Sequence, residues 1–198
     1  MEKIKNVYKG KSMKTMLIGA PISFGENIVK RFNADTFSRR NGYNINSDES
    51  RTSIAKQSLN YDTVIVHTYT RQNGQIATLQ KVVDAWIEDN KKGNIIVTGS
   101  IVSYFTNYSK SSDSWEYLAF KTALDAYCKN VSKRCVLGDF LFKLSILKPG
   151  MMDTENSRKK PHFVKGLDGE IFCNIIEMII NLPDDVIIPE VPVESIYK

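Results

Sequence analysis

Short apolar runs alternate with longer stretches of helical periodicity along most of this chain. The clearest run is Thr63-Val64-Ile65-Val66-His67, where β-branched residues occupy consecutive positions, as in a parallel strand covered on both faces. Residues 75–90 instead space their apolar side chains three and four apart, which predicts an amphipathic helix. Alternation of such runs and helices predicts a parallel sheet with helices packed on both faces.

The same pattern divides the chain into predicted elements. Strands are expected at 15–18, 36–38, 43–45, 63–67, 94–98, 140–147 and 186–188, and helices at 26–32, 48–59, 75–90, 116–132 and 171–181. The polar stretch 100–115 is expected to be an irregular loop. With 198 residues the chain is long enough for one domain. The predicted fold is α/β: a single Rossmann-type doubly wound parallel sheet over 14–198, preceded by a flexible basic extension over 1–13.

Composition narrows the class of protein. The chain is 42% apolar and 25% charged, which is typical of a soluble globular protein, and no apolar run approaches the length of a membrane span. Its net charge of +5 comes partly from the N-terminal extension and from Arg158-Lys159-Lys160. Such an excess attracts phosphorylated ligands or nucleic acid, but no nucleic-acid-binding signature accompanies it. Solvated surface lysines are therefore the favoured interpretation.

The cysteines and the other candidate metal ligands point to a site without metal. Cys128, Cys135 and Cys173 are odd in number and form no Cys-x-x-Cys pair. Buried free thiols in a reducing cytosol are the simplest interpretation, which predicts a cytoplasmic protein. No spacing of His, Cys, Asp and Glu resembles a metal site.

The turn between the first strand and the first helix has the composition of a phosphate-binding turn. In a parallel sheet, ligands bind beyond the carboxyl ends of the strands. The turn reads Gly19-Ala20-Pro21-Ile22-Ser23-Phe24-Gly25, and its small residues allow the backbone to approach a diphosphate at the helix N-terminus. Candidate contacts are Gly19, Ser23, Phe24 and Gly25. An ordinary turn remains the alternative.

Two further strand ends carry candidate ligand contacts. Ser38, Arg39 and Arg40 follow the strand whose end would meet an adenosine ribose; arginine suits a 2′-phosphate there, whereas an acid would hold a 2′-hydroxyl. This favours NADP(H) over NAD(H), with a solvated arginine pair as the alternative. His67 and Thr68 end another buried strand and face the same crevice, where His67 is either a ligand contact or a hydrogen-bonded structural residue.

The best candidate for chemistry is a tyrosine and lysine pair near a serine. Tyr117 and Lys121 lie four residues apart, so a helix places them on one face. A phenol has an ordinary pKa of about 10, and a nearby ammonium lowers it by stabilising the phenolate. Ser100 follows the strand at 94–98 and could hydrogen-bond the same reacting oxygen. The alternative is that Tyr117 is a core residue of an amphipathic helix.

Taken in order, these motifs resemble the short-chain dehydrogenase/reductase (SDR) family over about 14–188. The family's Gly-x-x-x-Gly-x-Gly turn is matched by Gly19 and Gly25, with Ser23 in place of the second glycine. The other matches are the serine after a strand, the Tyr-x-x-x-Lys helix, and a Pro-Gly strand end followed by threonine: Ser100, Tyr117, Lys121, Pro149, Gly150 and Thr154.

This resemblance implies an NADP(H)-dependent oxidoreductase that transfers hydride between the nicotinamide and a small carbonyl or alcohol substrate. Tyr117 would be the proton donor, Ser100 would hold the carbonyl oxygen, and Lys121 would also hold the nicotinamide ribose. Met151 and Thr154 would hold the carboxamide. In the family the helix carrying Trp86 and the Tyr-Lys helix often form the subunit contact, so a homodimer or homotetramer is expected, although core packing is the simpler interpretation of Trp86.

The chain also departs from the family pattern. His67-Thr68-Tyr69-Thr70 stands where the family has Asn-Asn-Ala-Gly, and the nearest counterpart of the catalytic asparagine is Asn73. A non-catalytic NADP(H)-binding sensor or regulatory protein on the same fold is therefore the alternative function. The segments 101–116 and 155–169, which would wall the substrate pocket, carry no specificity code.

Overall fold

The computed structural model describes residues 13–70, 73–104, 112–160 and 163–196. In this part of the chain, six parallel strands form one sheet in the order β2-β1-β3-β4-β5-β6. Their bounds are β1 Thr15–Ile18, β2 Asp35–Phe37, β3 Thr63–Val66, β4 Gly93–Thr98, β5 Phe142–Pro149 and β6 Glu190–Val193. The order reverses direction between β1 and β3, as in a doubly wound sheet, so the predicted fold class is confirmed.

Within the described residues, six helices connect the strands. They are α1 Phe24–Phe32, α2 Asp48–Ser58, α3 Gly74–Glu88, α4 Ser112–Val136, α5 Glu155–Arg158 and α6 Gly169–Ile180. Short 3₁₀ turns lie at Arg39–Asn41 and Ile101–Tyr104. Side-chain caps fix several helix starts: Ser47 accepts a hydrogen bond from the Ser50 N–H, and Asp168 accepts one from the Glu170 N–H. None of the described helices is both long and apolar enough to cross a bilayer.

The core consists of two layers, one on each face of the sheet. Successive residues of a strand point to opposite faces, so Val64 and Val66 of β3 enter one layer and Ile65 enters the other. Both layers are covered by helices, which is why the strands are apolar at consecutive positions. The apolar face of α3 belongs to the first layer, where the Trp86 indole donates to the Ser58 hydroxyl at 2.9 Å. Core packing is thus the role of this face.

Two strand predictions were wrong. Residues 43–45 form no strand, because the Tyr43 N–H bonds back to the Ser38 carbonyl and closes the turn that follows β2. The last strand is β6 at Glu190–Val193 and not 186–188. The Val186 N–H bonds to the Pro183 carbonyl, which makes that segment a turn.

Other boundaries moved by a few residues. Helix α4 begins at Ser112 and occupies part of the expected loop, of which Ile101–Tyr104 is a 3₁₀ turn. Strand β5 runs two residues further than predicted, through Pro149, whose Cα partner is Val193 of β6. The short helix α5 was not predicted. The predicted basic extension lies outside the described residues except for Met13.

Candidate active site

The carboxyl ends of the strands open into a cavity of about 1060 Å³. Backbone hydrogen bonds hold the first residues beyond the strands side by side. The N–H groups of Gly19, His67 and Gly99 donate to the carbonyls of Phe37, Ile18 and Leu147 at 3.0, 3.0 and 2.7 Å. The crevice therefore lies where a doubly wound sheet binds its ligands. Its volume is at the upper end of the range for pockets that bind small molecules.

Most of the predicted site residues line this cavity. They are Gly19, Ser38, Arg39, Arg40, His67, Thr68, Ser100, Tyr117, Lys121, Pro149, Gly150, Met151 and Thr154. Ser23, Phe24, Gly25 and Asn73 do not line it. Residues that were not predicted as site residues, among them Tyr69, Lys160 and Glu194, also contribute to the wall.

The turn between β1 and α1 has the backbone of a glycine-rich turn. Gly19 has φ +152°, and a Cβ there would lie 2.0 Å from the His67 carbonyl oxygen. Gly25 is equally constrained, because a Cβ would lie 2.1 Å from the Ala20 carbonyl oxygen. Ser23 stands where the resembled family has its second glycine, and it keeps a glycine-like φ of 52° and ψ of −122°. The local backbone therefore needs glycine at two of these positions and strains a serine at the third.

The N-terminus of α1 leaves donors for an anion. The backbone N–H groups of Ser23 and Phe24 have no acceptor among the described residues, whereas those of Gly25 and Glu26 are used within the turn. The Phe24 side chain is buried and packs edge-on against Phe172, with ring centroids 5.4 Å apart. Phe24 can therefore offer a ligand its backbone, and its ring anchors the helix start.

The far end of the cavity is basic. Arg39 and Arg40 lie in the 3₁₀ turn after β2, and both are exposed. Ser38 is buried, and its hydroxyl donates to the Asn41 side chain at 2.9 Å, which stabilises this turn. Among the described lining residues the one carboxylate is that of Glu194. Guanidinium groups are donors that pair well with phosphate oxygens, so this end of the cavity has the chemistry to bind a phosphate.

Lys121 of α4 lies at the centre of the site and is only 4% exposed. Its Nζ donates to Gln75 Oε1 at 2.9 Å and to the Thr98 carbonyl oxygen at 3.2 Å. Gln75 Nε2 donates to the same carbonyl oxygen at 2.9 Å. Burial lowers the pKa of Lys121 to about 8, because neither acceptor carries a charge that would offset the lost hydration.

Two phenol rings lie beside this ammonium. Lys121 Nζ is 5.8 Å from the ring centroid of Tyr117 and 5.8 Å from that of Tyr69. The two rings meet edge to face, with centroids 5.0 Å apart. The helical spacing thus brings Tyr117 and Lys121 together as expected. Tyr69 was missed, although its segment had been noted as the departure from Asn-Asn-Ala-Gly.

Ser100 is held with its hydroxyl at the cavity wall. Its Oγ accepts a hydrogen bond from the Val102 N–H at 3.3 Å, and its carbonyl accepts from the Ser103 hydroxyl at 3.0 Å. Ser100 therefore starts the 3₁₀ turn that follows β4 and is itself buried. The described residues offer no acceptor for its hydroxyl proton, which is available for a ligand oxygen.

His67 joins the ends of two strands. Its Nδ1 lies 3.0 Å from Thr98 Oγ1, and its ring lies 5.8 Å from the Phe172 ring. Desolvation, with a smaller effect of the Lys121 charge, lowers the pKa of His67 to about 4. The imidazole is therefore neutral at physiological pH, and it carries a structural hydrogen bond at the cavity wall.

Two predicted contacts have local structural roles. The Thr154 hydroxyl caps α5, because it accepts from the Ser157 N–H at 3.1 Å, and it also donates to the Ser157 hydroxyl. Asn73 has φ 56° and caps the start of α3 without a side-chain hydrogen bond. The residue of this helix that reaches the site is Gln75, two positions later, and no sequence motif indicated it.

Comparison with known proteins agrees with this fold. No protein-family model and no curated protein sequence matches the chain. Solved structures do match it. Serine dehydrogenase from Escherichia coli matches with a TM-score of 0.68 at 16% identity, over 91% of this chain and 97% of its own.

Two further structures match equally well. A short-chain dehydrogenase from Burkholderia cenocepacia in complex with NADP has a TM-score of 0.70 at 15% identity, over 90% of this chain and 87% of its own. An alcohol dehydrogenase from the archaeon Thermococcus sibiricus complexed with 5-hydroxy-NADP has a TM-score of 0.65 at 19% identity, over 94% and 98%. At these identities the likeness establishes the fold, and the predicted resemblance is confirmed at that level.

Proposed function

We propose that the chain is an NADP(H)-dependent oxidoreductase of the short-chain dehydrogenase type, which interconverts a small carbonyl compound and its alcohol. The observation that carries this proposal is the buried Lys121 ammonium beside Tyr117, in a cavity that Ser100 also lines. A phenol, a cation and a hydroxyl at one cavity are the groups needed to move a proton to a carbonyl oxygen.

The cavity fits a phosphorylated dinucleotide at two places. Gly19 has no Cβ, so the backbone of the turn can lie close to the His67 carbonyl and to a bound diphosphate. The N–H groups of Ser23 and Phe24, which have no acceptor among the described residues, lie in the same turn and can donate to that diphosphate. Arg39 and Arg40 at the end of β2 suit a 2′-phosphate, which favours NADP(H) over NAD(H). Two of the matched dehydrogenases were solved with NADP or 5-hydroxy-NADP. When bound, the nicotinamide would supply or accept the hydride.

The residues of this chain would perform the proton chemistry. Tyr117 donates its phenolic proton to the carbonyl oxygen in reduction and removes it in oxidation. The Lys121 ammonium stabilises the phenolate, and it does so more strongly than an exposed lysine would because it is itself buried. Ser100 donates its hydroxyl hydrogen to the same oxygen and stabilises the charge that develops there. Lys121 also has a donor left for a ribose hydroxyl, and Met151 and Thr154 lie at the wall proposed to hold the carboxamide.

One observation favours the second candidate, a non-catalytic NADP(H)-binding sensor. The segment 67–70 places the Tyr69 ring against Tyr117 and beside Lys121, where the resembled family has small residues. A ring at this position fills space beside Tyr117 that small residues would leave open. The two candidates share the nucleotide site and differ in turnover.

The proposed assembly is a homodimer or homotetramer in the cytoplasm. Because the Trp86 face of α3 is core, a subunit contact would use the outer faces of α3 and α4. Cys128, Cys135 and Cys173 are unpaired, and Cys128 and Cys173 are buried, which suits a reducing compartment. Sedimentation at micromolar concentration tests the assembly, and a monomer there contradicts it.

The test combines nucleotide binding with turnover. NADPH and NADH are titrated by fluorescence into the wild type, Tyr117→Phe and Arg39→Ala, and NADPH consumption is followed with a panel of aldehydes and ketones. Tyr117→Phe retains the ring and should bind NADPH normally, while turnover falls by about a hundredfold or more. The matched control is Tyr127→Phe on the same helix, outside the cavity, which should leave turnover unchanged.

The outcomes separate the candidates. Arg39→Ala should weaken NADPH far more than NADH, and equal losses refute the 2′-phosphate contact. Tight NADPH binding without turnover of any carbonyl compound favours the sensor. Binding of neither nucleotide rejects both candidates.

A further inference from the structure

We infer that Gln75 is the positioning residue of Lys121: its amide, together with the Thr98 carbonyl, holds the ammonium beside Tyr117 in a cage of uncharged acceptors. The role in catalysis rests on the function proposed above. The hydrogen bonds that carry it join three elements, α3, β4 and α4, and connect Gln75 and Lys121 across 46 positions of sequence.

The orientation of the Gln75 amide is fixed by its two partners. The Thr98 carbonyl can only accept, so it must face the Nε2 group, which lies 2.9 Å away. The Lys121 ammonium can only donate, so it must face Oε1, also at 2.9 Å. A flipped amide would oppose two acceptors at one end and two donors at the other. One orientation therefore satisfies both contacts.

The three groups form a closed triangle. Gln75 Nε2 and Lys121 Nζ share the Thr98 carbonyl oxygen, and the third side is the bond from Lys121 Nζ to Gln75 Oε1. Gln75 is 5% exposed, and Thr98 and Lys121 are buried too. Two of the three ammonium donors are thereby used. The part of the chain that the structure describes offers no third acceptor, which leaves one N–H for the cavity.

Among the described residues, the groups around this cage carry no negative charge that pairs with Lys121. From the end of β3, His67 remains a neutral imidazole. Along α4, Cys128 remains a thiol, because burial raises its pKa. Asp125, one turn from Lys121, pairs with Lys148 and Lys129. The aromatic neighbours are Tyr69 and Tyr117.

An uncharged cage has a chemical consequence for proton transfer. It holds the ammonium in place without the strong pairing that a carboxylate would impose. Its pKa of about 8 keeps Lys121 protonated at neutral pH and still close to the point of proton release. A carboxylate at Gln75 would stabilise the ammonium and raise that pKa. A thioether of similar shape would remove one acceptor and lower it.

The experiment measures the proton equilibrium of Lys121 in the nucleotide-free protein. Protein labelled with ¹³Cε-lysine is titrated by NMR, and the Lys121 resonance is assigned by its loss in Lys121→Met. The wild-type midpoint is expected near 8. Gln75→Glu should raise it by about one pH unit or more, a tenfold change in the equilibrium, and Gln75→Met should lower it. Gln80→Glu on the exposed side of α3 is the matched control and should leave it unchanged.

Gln75→Asn gives a second route if Gln75→Met does not fold. It keeps the amide but is one methylene too short to reach both partners, so the midpoint should also fall. A Lys121 midpoint that is the same in Gln75→Glu, Gln75→Asn and the wild type overturns the inference. An equal shift of the Lys121 midpoint in Gln80→Glu also overturns it, because any added negative charge on α3 would then have the same effect.

NADPH affinity, measured by fluorescence across the same pH range, separates this inference from the proposed function. If Lys121 holds the ribose, affinity should fall above the wild-type midpoint, and in Gln75→Glu this fall should move to higher pH by the same amount. A shifted Lys121 midpoint in a protein that binds no NADPH supports the Gln75 cage and rejects the proposed reductase. An unshifted midpoint in a protein that binds NADPH rejects the cage alone.

Discussion

His67 Nδ1 lies 3.0 Å from Thr98 Oγ1, so a neutral imidazole joins the end of β3 to the end of β4 at the cavity wall. The same Thr98 provides the carbonyl that Gln75 and Lys121 share. His67 therefore bonds to the side chain of the same residue whose backbone carbonyl holds the Lys121 ammonium. It stands where the resembled family has asparagine, whose amide is also a short polar group but does not titrate.

This relationship predicts a pH-dependent stability that His67→Asn removes. The pKa of His67 is lowered from 6.5 to about 4, mainly by desolvation. Between those values the unfolded chain binds the proton and the folded chain does not. Stability due to this residue is thus complete above about pH 6.5 and is lost as pH falls towards 4. Urea unfolding should show a loss of about 2 kcal/mol more in the wild type than in His67→Asn between about pH 7 and pH 5.

The comparison with His67→Asn cancels the other groups that titrate in this window, provided that both proteins fold at pH 7. Parallel stability curves for the two proteins across the window would show that the folded and unfolded states bind the His67 proton equally.

The prediction of the fold from sequence succeeded where one local signal decided the outcome. Consecutive β-branched residues such as Val64 and Ile65 predicted buried strands, because only a covered parallel sheet hides both faces. The last strand was misplaced for the opposite reason. The run at 186–188 has the stronger strand propensity, but β6 at Glu190–Val193 is chosen by its pairing with β5, which no local pattern expresses.

The residues of the site could likewise be predicted only where a local signal marked them. Tyr117 and Lys121 could be paired from their helical spacing, and Ser100 from its place after a strand. Gln75 and Tyr69 could not be found in this way. Gln75 reaches Lys121 across 46 positions, and its contact depends on how α3 and α4 are rotated over the sheet. That rotation is set by packing of the core, which sequence spacing alone does not fix.

Gly19→Ala should disrupt the turn between β1 and α1. The new Cβ would lie 2.0 Å from the His67 carbonyl oxygen, and φ at +152° is strained for any L residue. We expect a lower unfolding midpoint in urea and loss of NADPH binding, because His67 or the turn must move. Gly138→Ala is the control: φ is +80° there, but nothing lies within 4 Å, so only the cost of strain should appear. If the two substitutions lower the unfolding midpoint equally, the loss in Gly19→Ala comes from the strained φ and not from the contact with His67.

Ser23→Gly should stabilise the protein. Ser23 has φ 52° and ψ −122°, a backbone conformation that costs a residue with a Cβ about 1 kcal/mol or more. It is exposed, and its side chain makes no capping hydrogen bond, so little is lost with the hydroxyl. Chemical denaturation should show a gain of about 1 kcal/mol, reduced by the entropy that glycine adds to the unfolded chain. A loss of stability would mean that the hydroxyl contributes more than the strain costs.

Lys148→Met should destabilise the fold strongly, because it removes a buried cation. Lys148 of β5 is fully buried, and its Nζ lies 2.5 Å from the Asp125 carboxylate, 2.8 Å from the Glu190 carboxylate and 4.1 Å from the centroid of the Tyr104 ring. Removing the cation leaves two carboxylates close together, and among the described residues Lys129 is the cation that still pairs with both. Breaking a buried ion pair in this way costs about 3 to 5 kcal/mol, which urea unfolding measures.

Two comparisons isolate the buried charge as the cause. Lys159→Met breaks an exposed pair with Glu155 and should leave the unfolding midpoint nearly unchanged, because solvent screens that contact. Adding Asp125→Asn and Glu190→Gln to Lys148→Met should recover part of the loss, because neutral side chains do not repel each other in the emptied site. If the triple variant is less stable than Lys148→Met, repulsion between the carboxylates is not the source of the penalty, and the lost contact of the ammonium with the Tyr104 ring accounts for it.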